Sequence, residues 1–118
     1  MDKIALFHNI AELLFKEKRH YYESLADFYI RKKLMSDTEK NYIFKGIVRT
    51  FLNTYEYICM MYVKGLIDDI LFEDAFGGDI INLYESNFGE IAGIDITDES
   101  TEVFKQIRLA YAKIKEKL

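Results

Sequence analysis

The sequence predicts an all-α fold, a compact helical bundle of about five helices spanning one domain, residues 1–118. Three observations lead there: the 118 residues include no proline, only six are glycine, and the apolar residues recur at steps of three and four. Proline removes a backbone donor and clashes with the preceding turn, so a chain without it can run long unkinked helices. Steps of three and four gather side chains on one helix face, where a strand would need alternation. Half of the residues are hydrophobic, nine Phe and nine Tyr among them, enough for one core without disulfide or metal staples.

The first helix is predicted over about residues 2–34. Phe7, Ala11, Leu14, Tyr21, Leu25 and Phe28 form its stripe. Lys18 interrupts that stripe inside Lys16-Glu17-Lys18-Arg19-His20, which predicts either an exposed stretch or a break near residues 16–20. Unbroken, the helix would be about 45 Å long at 1.5 Å per residue. Part of it is then expected to protrude or to pack on a second subunit.

Ser36-Asp37-Thr38-Glu39 is a start signal, with a Ser side chain to cap and a Glu three residues on. The second helix follows to Lys64, with Phe44, Ile47, Phe51, Tyr55, Ile58 and Tyr62 on its apolar face and Lys45, Arg49, Asn53, Glu56 and Lys64 on the other. Met60 falls among the polar group. Gly65 ends this helix. Asp68 or Asp69 caps a short third one, which Gly77-Gly78 terminates. Asp79 opens a fourth with Ile80, Ile81, Leu83, Tyr84 and Phe88, loosened by Gly89 and Gly93. Thr97 or Asp98 starts the fifth, with Asp98, Glu99 and Glu102 at its positive end and Lys113, Lys115 and Lys117 at its negative end. Its buried stripe is Val103, Ile107, Ala110 or Tyr111, and Ile114.

A formal charge of −4 argues against nucleic acid as the main partner, because phosphate neutralisation drives such binding. The single cysteine, Cys59, points to a reducing compartment and a cytoplasmic location. Neither a signal-peptide pattern nor an apolar run of about 20 residues is seen, so no membrane span is expected.

The candidate chemistries are thin. Glu17 and His20 have the Glu-x-x-His spacing of carboxylate-bridged metal bundles, but such sites need two pairs and further carboxylates. Two His and one Cys cannot complete a structural zinc site from the usual ligands. Cys59 lies deep in a helix without a neighbouring cation, the setting of an inert thiol. Asp68, Asp69, Glu73 and Asp74 read as helix caps and first-turn acids. No triad, phosphate loop or calcium loop can be assembled, so no catalytic residue, metal or cofactor is expected. The basic stretches 16–19 and 31–33, interleaved with Tyr21, Tyr22 and Tyr29, leave a small nucleic-acid-binding regulator as an alternative. A metal or small-molecule site within the bundle is a further one.

Phe51-Leu52-Asn53-Thr54-Tyr55-Glu56-Tyr57-Ile58, then Lys64-Gly65-Leu66-Ile67-Asp68, Phe76-Gly77 and Ile80-Ile81 carry a resemblance. The stretch 51–81 resembles a family of small helical bacterial, prophage and phage proteins known only as a domain of unknown function. The resemblance implies a mobile-element origin rather than an activity. By analogy, small acidic phage proteins without catalytic residues occupy a host protein's surface, and so can inhibit a host defence protein. The expected function is therefore a non-enzymatic protein-binding module with a bacterial protein as partner, and with homo-oligomerisation. Tyr21, Tyr22, Tyr29 and Met60 are the expected anchors, since aromatics dominate interface energetics. Asn53 and Glu56, one turn apart, read either as a hydrogen-bonding device at a buried edge or as a contact to the neighbouring short helix or to a partner.

Overall fold

The Asp2 carboxylate accepts a hydrogen bond from the Ile4 amide at 2.8 Å and so opens the first helix. The computed structural model describes residues 2–118. Among them run four helices, α1 (Lys3–Arg31), α2 (Asp37–Val63), α3 (Asp69–Glu85) and α4 (Lys105–Lys115), with 3-10 turns at Lys32–Leu34 and Glu90–Ala92.

α1 is continuous through residues 16–20, so the break is not there. Lys18 lies along the protein rather than interrupting the helix. Its ammonium is 2.7 Å from Asp79 Oδ2 and 5.9 Å from the Phe76 ring centroid. A long stem over apolar surface with a paired head satisfies a lysine at the edge of a core. Phe7, Ile10, Leu14 and Phe28 are buried, while Tyr21 is half-buried and stacks on Phe51 with centroids 4.3 Å apart.

Ser36 caps α2 by accepting from the Glu39 amide at 3.2 Å, and its hydroxyl meets the Glu39 carboxylate in return. α2 packs on both α1 and α4, meeting Phe28 and Tyr21 of α1 through Phe44 and Phe51 and the start of α4 through Glu56. Phe51, Tyr55, Ile58 and Tyr62 are buried as their spacing predicts. Gly65, at φ 70°, reverses the chain where a side chain would be strained.

The expected third and fourth helices are one. Asp68 caps α3 through the Leu71 amide at 3.0 Å, and the helix passes straight through Gly77-Gly78 to Glu85. Two glycines weaken a helix, but packing outweighs propensity here. Gly77 is buried under α4, and the place of a Cβ there would be 3.9 Å from Ile114 Cγ2. Asp79 is therefore no cap; it sits inside α3 and holds Lys18. Gly78 is exposed with open space around it. Gly78→Ala should stabilise the protein by about 0.5–1 kcal/mol, since alanine loses less backbone freedom in a helix. Thermal unfolding checks this, and a lowered midpoint would contradict a continuous α3.

The fifth predicted helix begins later than its acids suggest, at Lys105. Asp95 and Asp98 hold the amides of Thr97 and Ser100, each at 2.9 Å. They close local turns instead of capping a helix. Val103 is 59% exposed and Phe104 takes the buried position. Arg108 ties residues 96–103 to α4 by donating to the carbonyls of Thr101, Val103 and Ile96. The four helices and this segment enclose one core, in which Tyr62 stacks on Phe72 at 4.3 Å and Phe76 bridges Phe72 and Phe7. The molecule measures 48 × 31 × 21 Å, its length set by α1.

Candidate protein-interaction surface

Several of the charged groups singled out by the sequence hold the fold. Asp69 meets Lys113 at 3.2 Å, and Glu73 accepts from Lys117 at 2.6 Å and from the Tyr62 hydroxyl. Burial, then the bond to Glu73, pushes the Tyr62 phenol well above its ordinary value. Tyr111 stacks on Tyr84 and donates to Glu85. That bond raises the Tyr111 phenol to about 12 and holds the Glu85 carboxyl below the usual range. Within the acidic group at 68–74, Asp69 and Glu73 thus seat α4, while Asp68 caps α3. Among the described residues no three His, Cys, Asp or Glu come together as metal ligands would. Cys59 is fully buried, and burial pushes its thiol well up.

The basic stretches are partly used in the same way. Lys18 pairs with Asp79 and Arg31 with Asp27 at 3.0 Å. Lys32 lies 4.6 Å over the Tyr29 ring.

The six residues expected to bind a partner do not converge. Glu56 reaches from α2 to the start of α4, where its two carboxylate oxygens accept from the amides of Gln106 at 3.0 Å and Ile107 at 2.9 Å. Its contact is to the distant α4 and not to the short helix expected to follow α2. Asn53 stays at the surface. Met60 is half-buried and packed on the core. Tyr21 is held between Phe51 and Phe88. Of the four expected anchors, Tyr22 and Tyr29 present most of their surface to solvent.

Tyr29 stands at one end of the molecule with apolar neighbours that the periodicity did not select. A cleft of about 420 Å³ opens between α1, α2 and the segment after α3, lined by Tyr21, Leu25, Tyr29, Phe44, Phe88 and Ile91, with Ser86, Asn87 and Glu90 on its rim. Ile91 is 81% exposed, and on the same hairpin of α1 and α2 so are Ile30 (75%), Leu34 (93%) and Tyr42 (80%). Ile30 and Tyr42 lie off the buried stripes of their helices, which was the readable signal. Ile91 carried none, because it lies in a turn between Gly89 and Gly93. The cleft is formed by the fold: Phe88 packs on Phe51 and Tyr21. The 3-10 turn bearing Ile91 is closed by Ile94 N–H to the Gly89 carbonyl at 2.9 Å.

No helix among the described residues is long and apolar enough to cross a membrane. No curated protein and no solved structure matches the chain. The profile of DUF4760, a domain of unknown function, matches residues 4–113, far beyond the 51–81 stretch that carried the resemblance, and the chain belongs to that family.

Proposed function

We propose that this domain is a non-enzymatic protein-binding module whose apolar cleft between α1, α2 and the 3-10 turn of Ile91 receives an apolar segment of another protein. The observation that carries the reading is the cleft itself, with Tyr29, Phe44, Phe88 and Ile91 converging on it and further exposed apolar residues on the adjoining hairpin. Apolar surface gathered in this way marks interaction sites more often than isolated exposed residues do. A partner filling the cleft would desolvate the rings of Tyr29, Phe44 and Phe88 together with Ile91, the type of contact from which binding energy chiefly comes. The resemblance to small phage and prophage proteins makes a bacterial host protein the proposed partner, its surface occupied and so inhibited. The single cysteine, free and buried, supports a cytoplasmic encounter.

Tagged wild-type protein should capture one bacterial protein in stoichiometric amount. Ile91→Glu, a substitution at an exposed position, should lose that protein while the circular dichroism spectrum is unchanged. Capture that survives Ile91→Glu would move the binding site off the cleft.

A further inference from the structure

α1 leaves a second face uncovered, on the flank where Lys18 meets Asp79 of α3. Phe15, Tyr22 and Tyr29 recur there at steps of seven and are 59%, 67% and 55% exposed. A straight helix drifts about 20° per heptad, so on the unbroken α1 the three rings form one nearly axial line. Alongside runs a second series at the same step, Glu12, Arg19, Ala26 and Lys33, all exposed. The last of these lies in the 3-10 turn that continues α1. Glu12 and Lys33 stand near opposite ends of the line with opposite charges. Neither has an ion-pair partner among the described residues.

We propose that this face binds a second copy of the chain, α1 against α1 and antiparallel, with the two-fold axis at Tyr22. Tyr22 then packs on Tyr22 of the second copy and Phe15 on its Tyr29. Aromatic rings are the side chains that interface cores favour. Glu12 comes opposite the second copy's Lys33, and two-fold symmetry makes that pair twice. Arg19 comes opposite Ala26. A parallel pairing in the same register would set Glu12 against Glu12, Arg19 against Arg19 and Lys33 against Lys33, so charge selects the antiparallel arrangement. The proposal does not rest on the cleft, although Tyr29 borders both faces.

Sedimentation of the full chain over a range of concentrations tests it. The wild type should approach twice the 14.0 kDa chain mass, and Tyr22→Glu should sediment as a folded monomer. Glu12→Lys should weaken the dimer about tenfold, by replacing two surface attractions with two repulsions, and Glu12→Lys with Lys33→Glu should restore it. Under mild oxidation, Tyr22→Cys should give a disulfide-linked dimer. Phe15→Cys should not, because in the antiparallel arrangement the two copies of position 15 are two heptads apart, about 21 Å. A wild type that stays monomeric, a dimer untouched by Tyr22→Glu, a double swap that fails to restore association, or cross-linking through Phe15→Cys would each overturn the proposal. Ile91→Glu should leave the dimer intact, which separates this face from the cleft.

Discussion

Replacing Glu56 by alanine should destabilise the protein by about 2–4 kcal/mol, because the substitution removes both acceptors of two part-buried amides at once. The start of α4 has no side-chain cap of its own. The residue before the helix is Phe104, held at φ 60°, a conformation that bulky side chains rarely adopt. The amides of Gln106 and Ile107 therefore depend on the carboxylate that α2 brings to them. A negative charge there also suits the helix dipole. Glu56→Gln keeps an acceptor but no charge, so about half of the loss is expected. Urea unfolding gives both values, and hydrogen exchange of the Gln106 and Ile107 amides should rise with them. A loss below about 0.5 kcal/mol for the alanine variant, the range of ordinary surface changes, would mean that the bidentate cap contributes little. With the expected loss of stability, reduced partner binding by a Glu56 variant would report on the seating of α4 and not on a direct contact.

Glu56 also shows where sequence reading stops. Periodicity placed it on the polar face of α2, and its type and position suggested a hydrogen-bonding role. Which amides it meets depends on α4, some fifty residues later, and no local pattern carries that pairing. The same holds for Lys18. As a charge inside an apolar stripe it suggested an exposed stretch or a break, because the stripe does not reveal that Asp79 lies opposite. Local signals were dependable where the interaction itself is local: the cap at Ser36, the cap at Asp68 and the left-handed Gly65 are each within a few residues of what they stabilise. They misled where one local signal had two outlets. Gly77-Gly78 ends a helix in isolation, yet Gly77 is buried beneath Ile114 and the helix continues. Asp98 can cap a helix or close a turn, and here it closes a turn.

The candidate surface was legible only in part, for a related reason. Tyr22 and Tyr29 are exposed as the helix pattern implies, whereas Tyr21 differs from Tyr22 by 100° around the same helix and is packed on Phe51. The stripe that contains Tyr21 already set it toward a neighbouring helix, so the expectation that it also anchors a partner competed with its place in the packing. The cleft depends further on the turn that follows α3, which joins residues with no periodic relation to one another. Its shape is a tertiary property, and its most exposed apolar residue, Ile91, lies in a turn.

That segment supplies the other large effect. Gly89→Ala should cost about 1–3 kcal/mol, the range for forcing extra atoms into a packed site. Gly89 is buried, and a Cβ there would come within 2.5 Å of the Ile94 carbonyl oxygen and 2.9 Å of Ile94 Cβ. The first obstacle is backbone, so no side-chain rotation relieves it. The hydrogen bond from Ile94 N–H to the Gly89 carbonyl, at 2.9 Å, holds the two residues together. The turn must therefore open, and Ile91, between them, must move with it. Chemical unfolding should show the loss in stability, and the partner captured by the wild type should bind the variant more weakly under conditions where the variant remains folded. Gly78→Ala is the control, as it changes the same residue type in a site with open space and should leave binding unchanged. A Gly89→Ala protein as stable as the wild type would show that the turn yields freely, and the cleft would then lack the fixed wall on which its proposed role depends.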